Sequence, residues 1–194
     1  QSIHPGAITL LHSGIVYPEE RDPTQLFAAL QQLKKSGRLS GNQLRIRFRA
    51  AVHDELLSAL AAQYDVADYI ELCPQIPYRE ALSEMLRADV LLVMQAANCN
   101  AQIPAKIYEY LRAGRPIAAL TDPQGDTAGA LRQAGINWIS QLDDSEAIAA
   151  RLVEVHDAVR ANAAPLPSPA AVAGASRLSR SEELAGYLTR CTAP

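Results

Sequence analysis

Residues 90–120 read VLLVMQAANCNAQIPAKIYEYLRAGRPIAAL, and the order of apolar and polar segments in this stretch decides the fold class. The wholly apolar run at residues 90–94 predicts a buried strand, and the small polar residues after it predict a loop. A helix is expected to begin at about Pro104, because proline suits the first turn. Gly114 ends that helix, and residues 117–120 predict a second buried strand. The stretch therefore predicts a strand–helix–strand unit of an α/β protein.

The same alternation runs through the rest of the chain. Further strands are predicted at residues 7–12, 44–50, 69–72 and 136–140, and further helices at residues 24–35, 54–64, 78–87, 126–133 and 145–162. Strands that alternate with helices in this way predict a parallel sheet that is covered on both faces. We expect a doubly wound α/β domain over residues 1–162, with a six-stranded, Rossmann-like parallel sheet. A Pro- and Ala-rich linker is predicted at residues 163–179, followed by a C-terminal helix at residues 180–194.

Composition argues against several classes of partner. The chain has 194 residues, a net charge of −3 and no basic block, which argues against nucleic-acid binding. Its three cysteines, Cys73, Cys99 and Cys191, lie far apart and none has metal-ligand spacing. This predicts free thiols in a reducing compartment and no metal site.

The loop after residues 90–94 and the helix that follows it contain the strongest candidates for ligand binding. Parallel sheets bind ligands outside the carboxyl ends of their strands, near the point where strand order reverses. Free amides at the helix start and the ammonium of Lys106 suit phosphate groups, and Glu109, one turn on, suits the two vicinal hydroxyls of ribose. The alternative is a surface Lys–Glu pair worth roughly a few tenths of a kcal/mol.

Two other loops are candidates. Gly14 follows the first strand and allows a ligand to approach the backbone closely. Arg21, before the next helix, is suited to clamp a diphosphate, or else belongs to a solvated charged turn. The loop CPQIP at residues 73–77 is rigid, and it either borders a nucleobase or is a plain turn. The chain contains neither a dinucleotide-binding fingerprint nor a P-loop motif.

Five segments stand in order along nearly the whole chain: LLHSGIVYPEERDP, ELCPQIPYREALSEMLRADVLLVM, IPAKIYEYLRAGRPIAAL, TAGALRQAG and DDSEAIAARL. Together they resemble the C-terminal, donor-binding half of retaining GT-B glycosyltransferases of group 1. The resemblance implies one half of a GT-B architecture, in which two Rossmann-like domains face each other across a cleft. It implies an enzyme that moves a hexose from a nucleoside-diphosphate sugar to an acceptor such as a polysaccharide or a lipid-linked glycan.

The resemblance also implies roles for individual residues, although it assigns no catalytic residue. The diphosphate is expected at Gly14, Arg21, Ile103 and Lys106, the ribose at Glu109, the base beside Cys73, Pro74, Gln75 and Ile76, and the donor sugar near Asn98, Asn100, Ala101 and Gln102. The nucleotide sugar is the expected substrate, and no metal or other cofactor is expected. The expected partner is an N-terminal acceptor domain of the same chain, toward which the last helix would cross. The 194 residues alone are expected to be inactive, and the full enzyme is expected in the cytoplasm, in contact with the inner face of the membrane through that domain.

The chain departs from the family pattern at two positions. The family has a glutamate eight residues before the ribose glutamate, where this chain has Ala101, and an arginine after the first-loop glycine, where this chain has Ile15. These departures leave two alternatives open. One is a degenerate, non-catalytic scaffold module, and the other is half of a nucleotide-sugar 2-epimerase.

Overall fold

The computed structural model describes residues 2–192, and its helices and strands alternate as the sequence predicts. The strands are β1 (Ile8–Ser13), β2 (Leu44–Arg49), β3 (Ile70–Cys73), β4 (Val90–Met94), β5 (Ile117–Leu120) and β6 (Ile139–Ser140). The helices are α1 (Thr24–Lys35), α2 (Asp54–Gln63), α3 (Tyr78–Arg87), α4 (Lys106–Ala113), α5 (Asp126–Gln133), α6 (Ser145–Arg160), α7 (Pro169–Gly174) and α8 (Arg177–Thr192). Short 3₁₀ turns at Ala67–Tyr69 and Ala97–Cys99 complete the described elements.

The six strands form one sheet in the order β3-β2-β1-β4-β5-β6. Every neighbouring pair is parallel. The chain winds outward from β1 to β3 in one direction and from β4 to β6 in the other, so the order reverses between β1 and β4. The prediction of a doubly wound, Rossmann-like sheet is confirmed, and the ligand crevice of such a sheet lies at this reversal.

The side chains of β2 show how the sheet divides the core in two. Leu44, Ile46 and Phe48 are fully buried in one cluster, which contains residues from α1, α2 and α6. The arginines that alternate with them point to the other face, where Arg49 pairs with Glu84 of α3. The second cluster lies on this face, beneath α3, α4 and α5. Period-two alternation therefore separates an apolar face of β2 from an ionic one.

Residues 163–179 are not the irregular linker that was predicted. They contain α7 and the first turn of α8. Ser168 caps α7 by accepting a hydrogen bond from the amide of Ala171, and Pro169 is the first helical residue. Serine followed by proline can begin a helix as well as interrupt one. Proline lacks an amide hydrogen, but the first turn of a helix does not use that hydrogen.

Strand β6 is shorter than predicted because the end of α5 uses part of the expected strand. Gly135 adopts φ +87°, and its neighbour Ile136 donates its amide hydrogen to the carbonyl of Leu131. This hydrogen bond closes the carboxyl end of α5. Pairing with β5 therefore begins only near Trp138, whose carbonyl accepts from Ala119.

Among residues 2–192, no helix is both long enough and apolar enough to cross a bilayer.

Candidate functional site

The carboxyl ends of β1 and β4 meet at the reversal of strand order, and the two strands part there. Their ladder pairs residues 10–11 with residues 90–91. One position further on, a side-chain hydrogen bond joins the two strands in place of the backbone ladder. Nδ1 of His12 lies 3.0 Å from the carbonyl oxygen of Leu92. A histidine therefore joins the two strands where their loops diverge.

His12 is fully buried, and both of its ring nitrogens have partners. Because a carbonyl oxygen can only accept, Nδ1 must carry the hydrogen. Nε2 then has a free lone pair, and Nζ of Lys106 lies 3.1 Å from it as the donor. Burial, followed by the charge of Lys106 and the weaker effect of Arg21, lowers the pKa of His12 well below its ordinary value. The ring is therefore neutral at physiological pH and accepts from the lysine.

Lys106 is the first residue of α4, and its ammonium lies in a place that disfavours positive charge. Burial, followed by the charge of Arg21, lowers the pKa of Lys106 to about 7, although Glu109 acts in the opposite direction. With that pKa, the ammonium is about half charged near neutral pH. An anion that binds beside Lys106 would favour its charged form.

Gly14 leaves room for the end of this lysine. Its φ is +113°, a backbone conformation that residues with a side chain rarely adopt. A Cβ atom at this position would lie 3.4 Å from Nζ of Lys106. The amide of Gly14 donates to the carbonyl of Arg49 at 2.8 Å, which continues the β1–β2 ladder by one bond. The group that lies beside this glycine in the structure is the lysine side chain, and the approach of a ligand to Gly14 stays a prediction.

A cavity of about 380 Å³ opens beside Lys106, and we call it the Lys106 cavity. Its lining residues are Glu20, Arg21, Gln95, Cys99, Gln102, Ile103, Pro104, Ala105 and Lys106. Arg21 is held in place by two contacts: Nη1 donates to the carbonyl of Ile15, and its guanidinium lies 5.1 Å from the ring centroid of Tyr17. Two cations therefore share this cavity with one carboxylate, and Arg21 belongs to its wall rather than to a fully solvated turn.

The backbone before α4 adds donors to the same cavity. The helix begins two residues later than predicted, after a tight turn in which Ile107 donates to the carbonyl of Pro104 at 2.9 Å. Within residues 2–192, the amides of Ile103 and Ala105 donate to no protein acceptor. Free amides at a helix start carry a partial positive charge, so they add to the attraction for an anion.

Gln95 closes the cavity on the side of β4, and sequence reasoning did not single it out. Its side-chain amide donates to the carbonyls of Cys99 and Gln102, at 2.8 and 3.0 Å. Its Oε1 atom is buried and has no hydrogen-bond partner in the described part of the chain. The available signal was a polar residue directly after a wholly apolar strand, in the first position of the loop.

Glu109 does not line the Lys106 cavity. It lies in a second space of about 780 Å³ between α3, α4 and α8, which we call the Tyr78 groove. The hydroxyl of Tyr78 donates to Oε1 of Glu109 at 3.1 Å, and the walls include Leu82 and Tyr108. Ala105 lines both spaces, so the groove adjoins the cavity. The structure thus brings Gly14, Arg21 and Lys106 together and sets Glu109 beside them in a separate space.

Two carbonyls of the CPQIP loop accept hydrogen bonds from β2 and from the residue that follows it. Cys73 is the last residue of β3, and its carbonyl accepts from the amide of Ala50 at 2.9 Å. The carbonyl of Pro74 accepts from Nη1 of Arg49. Both carbonyls are engaged because the ends of β2 and β3 are fastened to each other at this point.

The side chains of this loop also lie outside the two spaces. Gln75 is exposed, and Ile76 lines another cavity beside the arginines of β2. Tyr78, which begins α3 directly after the loop, lines the groove with Glu109. That residues 73–76 border a nucleobase stays a prediction, and Tyr78 is the residue next to this loop that lines the groove.

The residues predicted near the donor sugar divide into two groups. Gln102 lines the Lys106 cavity, as does Ile103, which was predicted at the diphosphate. The side-chain amide of Asn98 donates to the carbonyl of Glu19 in the β1–α1 loop. The side-chain amide of Asn100 donates to the carboxylate of Asp122 in the β5–α5 loop. Ala101 is exposed, and none of these three residues lines the cavity. Asn98 and Asn100 instead fasten their loop to its neighbours.

Tyr110 fixes α4 against β1 from beneath. Its hydroxyl accepts from the amide of Ser13 at 2.9 Å, and burial raises the pKa of this fully buried phenol. Lys106 and Tyr110 stand four residues apart, so they share one face of the helix. Both contact β1, at His12 and Ser13. This four-residue spacing was present in the sequence, but it identified no partner.

The arginines of β2 form a separate ionic cluster under α3. Arg49 donates to both carboxylate oxygens of Glu84, which is 2% exposed, and Nε of Arg47 lies 3.0 Å from the same carboxylate. Residues 2–192 contain no group of three or more His, Cys, Asp or Glu side chains arranged to hold a metal ion.

Comparison with solved structures shows the fold to be that of known glycosyltransferases. Anabaena HepE in complex with UDP has a TM-score of 0.70 and 16% identity, covering 95% of this chain and 49% of HepE. The UDP-forming α,α-trehalose-phosphate synthase from Burkholderia xenovorans has a TM-score of 0.65 and 15% identity, covering 97% of this chain and 46% of the synthase. The pneumococcal O-GlcNAc transferase GtfA, in complex with UDP and GlcNAc, has a TM-score of 0.55 and 15% identity, covering 96% of this chain and 35% of GtfA.

The chain spans about half or less of each of these proteins. It has the fold of one half of a GT-B glycosyltransferase, and the predicted architecture is confirmed. No family model matches the sequence, and no curated protein sequence matches it either.

Proposed function

We propose that the chain is the donor-binding half of a glycosyltransferase and that it binds a nucleoside-diphosphate sugar at the reversal of strand order. The observation that carries the proposal is the meeting of Arg21 and Lys106 in one cavity, with Gly14 beside the end of Lys106 and Glu109 in the adjoining groove. Two cations and free backbone amides suit a diphosphate. A carboxylate one helical turn away suits the ribose hydroxyls.

This arrangement favours a transfer in which the nucleoside diphosphate leaves. As the bond to the sugar breaks, negative charge gathers on the diphosphate, and cations already in place stabilise it. Arg21 is held by Ile15 and Tyr17, and Lys106 by His12, so both are positioned before the charge develops. The acceptor, and any group that activates it, would come from another domain of the full enzyme.

Calorimetric titration with UDP, GDP, ADP and pyrophosphate tests this proposal. UDP is the first choice because HepE and GtfA were both solved with UDP. We expect Lys106→Met to weaken the binding of UDP and of pyrophosphate alike. We expect Glu109→Gln to weaken UDP binding about tenfold and to change pyrophosphate binding much less, because only UDP carries ribose hydroxyls for the carboxylate and Glu109 acts on pyrophosphate only through its charge.

Glu55→Gln is the matched control for the charge change, since Glu55 is exposed on α2, on the opposite face of the sheet. It should bind every ligand as the wild type does. If the wild type binds none of the four ligands at millimolar concentration, or if Glu109→Gln binds UDP normally, the proposal is refuted.

A second candidate function is a non-catalytic module that retains nucleotide binding. It is favoured by the exposed Ala101 at the position where the family has a glutamate. Transfer activity of the full-length protein, measured with the nucleotide sugar that binds best, separates the two candidates. Activity supports the enzyme, and tight binding without transfer to any acceptor supports the module.

A further inference from the structure

We propose that His12 is a positioning residue for the phosphate-binding lysine: its neutral imidazole accepts a hydrogen bond from Lys106 and holds that ammonium over Gly14, at the wall of the Lys106 cavity. The inference rests on the proposed function for the identity of the ligand. The contact itself rests on the geometry of the free protein.

The position of His12 in the sheet makes it a rigid support. Its ring is fully buried, and it packs 6.1 Å, centroid to centroid, from the ring of Phe48 in the core. Nδ1 is bound to the carbonyl of Leu92, where the β1–β4 ladder has ended. The ring can therefore neither rotate nor retreat without breaking a hydrogen bond between two central strands.

The second nitrogen of the ring is the one that faces Lys106. Nε2 lies 3.1 Å from Nζ of Lys106. Because Nδ1 already carries the hydrogen, Nε2 offers a lone pair only, and an ammonium is the matching donor. One ammonium hydrogen is thereby directed at the ring, and the other two remain for an anion. A flexible lysine side chain is thus given a fixed end point.

The charged and titratable groups around this contact show why a neutral acceptor matters. Arg21 comes from the β1–α1 loop and disfavours charge on Lys106, while Glu109, on the same helix, favours it. Glu20 lines the cavity with Arg21, and the buried phenol of Tyr110 lies one turn along α4. Without the imidazole, the ammonium would have no buried acceptor on the β1 side, and the guanidinium of Arg21 would still repel it.

Two substitutions at position 12 separate positioning from simple packing. The side-chain amide of asparagine reaches the place of Nδ1, so His12→Asn keeps a donor for Leu92 and loses the acceptor for Lys106. Glutamine reaches the place of Nε2, so His12→Gln keeps an acceptor for the lysine. If His12 has only a structural role, His12→Asn should bind the ligand better than His12→Gln, because it keeps the hydrogen bond to Leu92. If His12 positions Lys106, His12→Gln should bind the ligand better than His12→Asn, because it keeps the acceptor for the lysine.

The first measurement is the titration of Lys106 in the ligand-free protein, followed by NMR at the ε-methylene group. The chain has three lysines, and Lys34 and Lys35 both lie on α1. The ε-methylene signal of Lys106 therefore has only two others from which it must be distinguished. Loss of the acceptor destabilises the ammonium, and we expect Lys106 in His12→Asn to lose its proton about one pH unit lower than in the wild type. In His12→Gln the titration should stay close to that of the wild type.

The second measurement is calorimetric titration of the same three proteins with UDP at one pH. We expect His12→Asn to bind about tenfold more weakly than the wild type, with His12→Gln restoring most of the loss. The melting temperature of each variant is recorded beside its affinity. Affinities that follow melting temperature rather than the presence of an acceptor would overturn the proposal, since packing alone would then explain them.

The two proposals fail in different ways. If the Lys106 titration is the same in His12→Asn as in the wild type, the positioning role is refuted, whether or not UDP binds. If that titration shifts but neither UDP nor pyrophosphate binds the wild type, the site is not a diphosphate site. In that case the role proposed for His12 in ligand binding falls with the proposed function.

Discussion

The affinity of the chain for UDP should fall as the pH rises from about 7 to about 9, because Lys106 loses its proton in this range. The pKa of Lys106 in the free protein is lowered to about 7 by burial and by Arg21. Its charged fraction therefore falls from about one half to about one hundredth, which sets a ceiling of about 50-fold on the loss of affinity. A hydrogen bond from a charged group contributes about 2 kcal/mol, which favours the charged form about 30-fold; since only about half of the lysine is charged at about pH 7, we expect UDP to bind about tenfold more weakly at the higher pH.

The sign of this effect follows from linkage. The ligand favours the charged lysine, so binding takes up a proton wherever the free protein has lost it. The terminal phosphate of UDP has a pKa of about 6, so the charge of the ligand changes little above about pH 7. Calorimetry in two buffers with different heats of ionisation measures the proton uptake directly. The same 2 kcal/mol raises the pKa of Lys106 in the complex to about 8.5, so at about pH 8 we expect an uptake of about 0.65 proton per UDP bound.

Two lysine variants test the assignment of this proton. Lys106→Met should bind UDP weakly at every pH in the range and take up no proton. Lys35→Met should behave as the wild type, because the ammonium of Lys35 is exposed on α1 and donates to Gln31 of the same helix. An affinity for UDP that is constant over this pH range, or a pH dependence that survives in Lys106→Met, would refute the reasoning.

Three further outcomes follow from the structure. Gly14→Ala should lower the free energy of unfolding by about 1 kcal/mol or more, because its φ is +113°, a conformation that alanine rarely adopts; urea denaturation measures the change. Glu84→Gln should cost about 3 kcal/mol in urea denaturation because it removes the carboxylate charge that pairs with the buried Arg49 and with the half-buried Arg47, whereas Glu80→Gln, exposed on the same helix, should cost almost nothing. Iodoacetamide should label Cys191, which is exposed, much faster than the two buried cysteines, and equal labelling of all three under native conditions would contradict the packing.

The fold was predictable because its signals are local. The apolar runs of β4 and β5 and the helices α1, α3 and α5 lie where the sequence predicts them, since each is bounded by a turn residue or a change of hydrophobic period. The errors lie where one residue serves two elements. Ile136 closes α5 instead of beginning β6, and Ser168 with Pro169 starts a short helix where a break was expected.

The site was predictable only in part, because its contacts join distant segments. Gly14, Arg21 and Lys106 carry recognisable signals, and the structure brings them together. The link between His12 and Lys106 spans 94 positions, and no local pattern records it. The separation of Glu109 from Lys106 into two adjoining spaces depends on the packing of α3 and α8, which no spacing within α4 could reveal.

The short helix α4 also has a consequence for the size of molecule that the chain accepts. Lys106 and Glu109 stand three residues apart, about 4.5 Å along the helix axis, and Ala105 belongs to the wall on either side. On the proposed function, a molecule that engages both must carry its anionic part and its hydroxyl pair at a matching separation, so the first turn of α4 acts as a molecular ruler. Pyrophosphate meets one end of the ruler and a plain nucleoside meets the other, and only a compound that joins the two parts spans it.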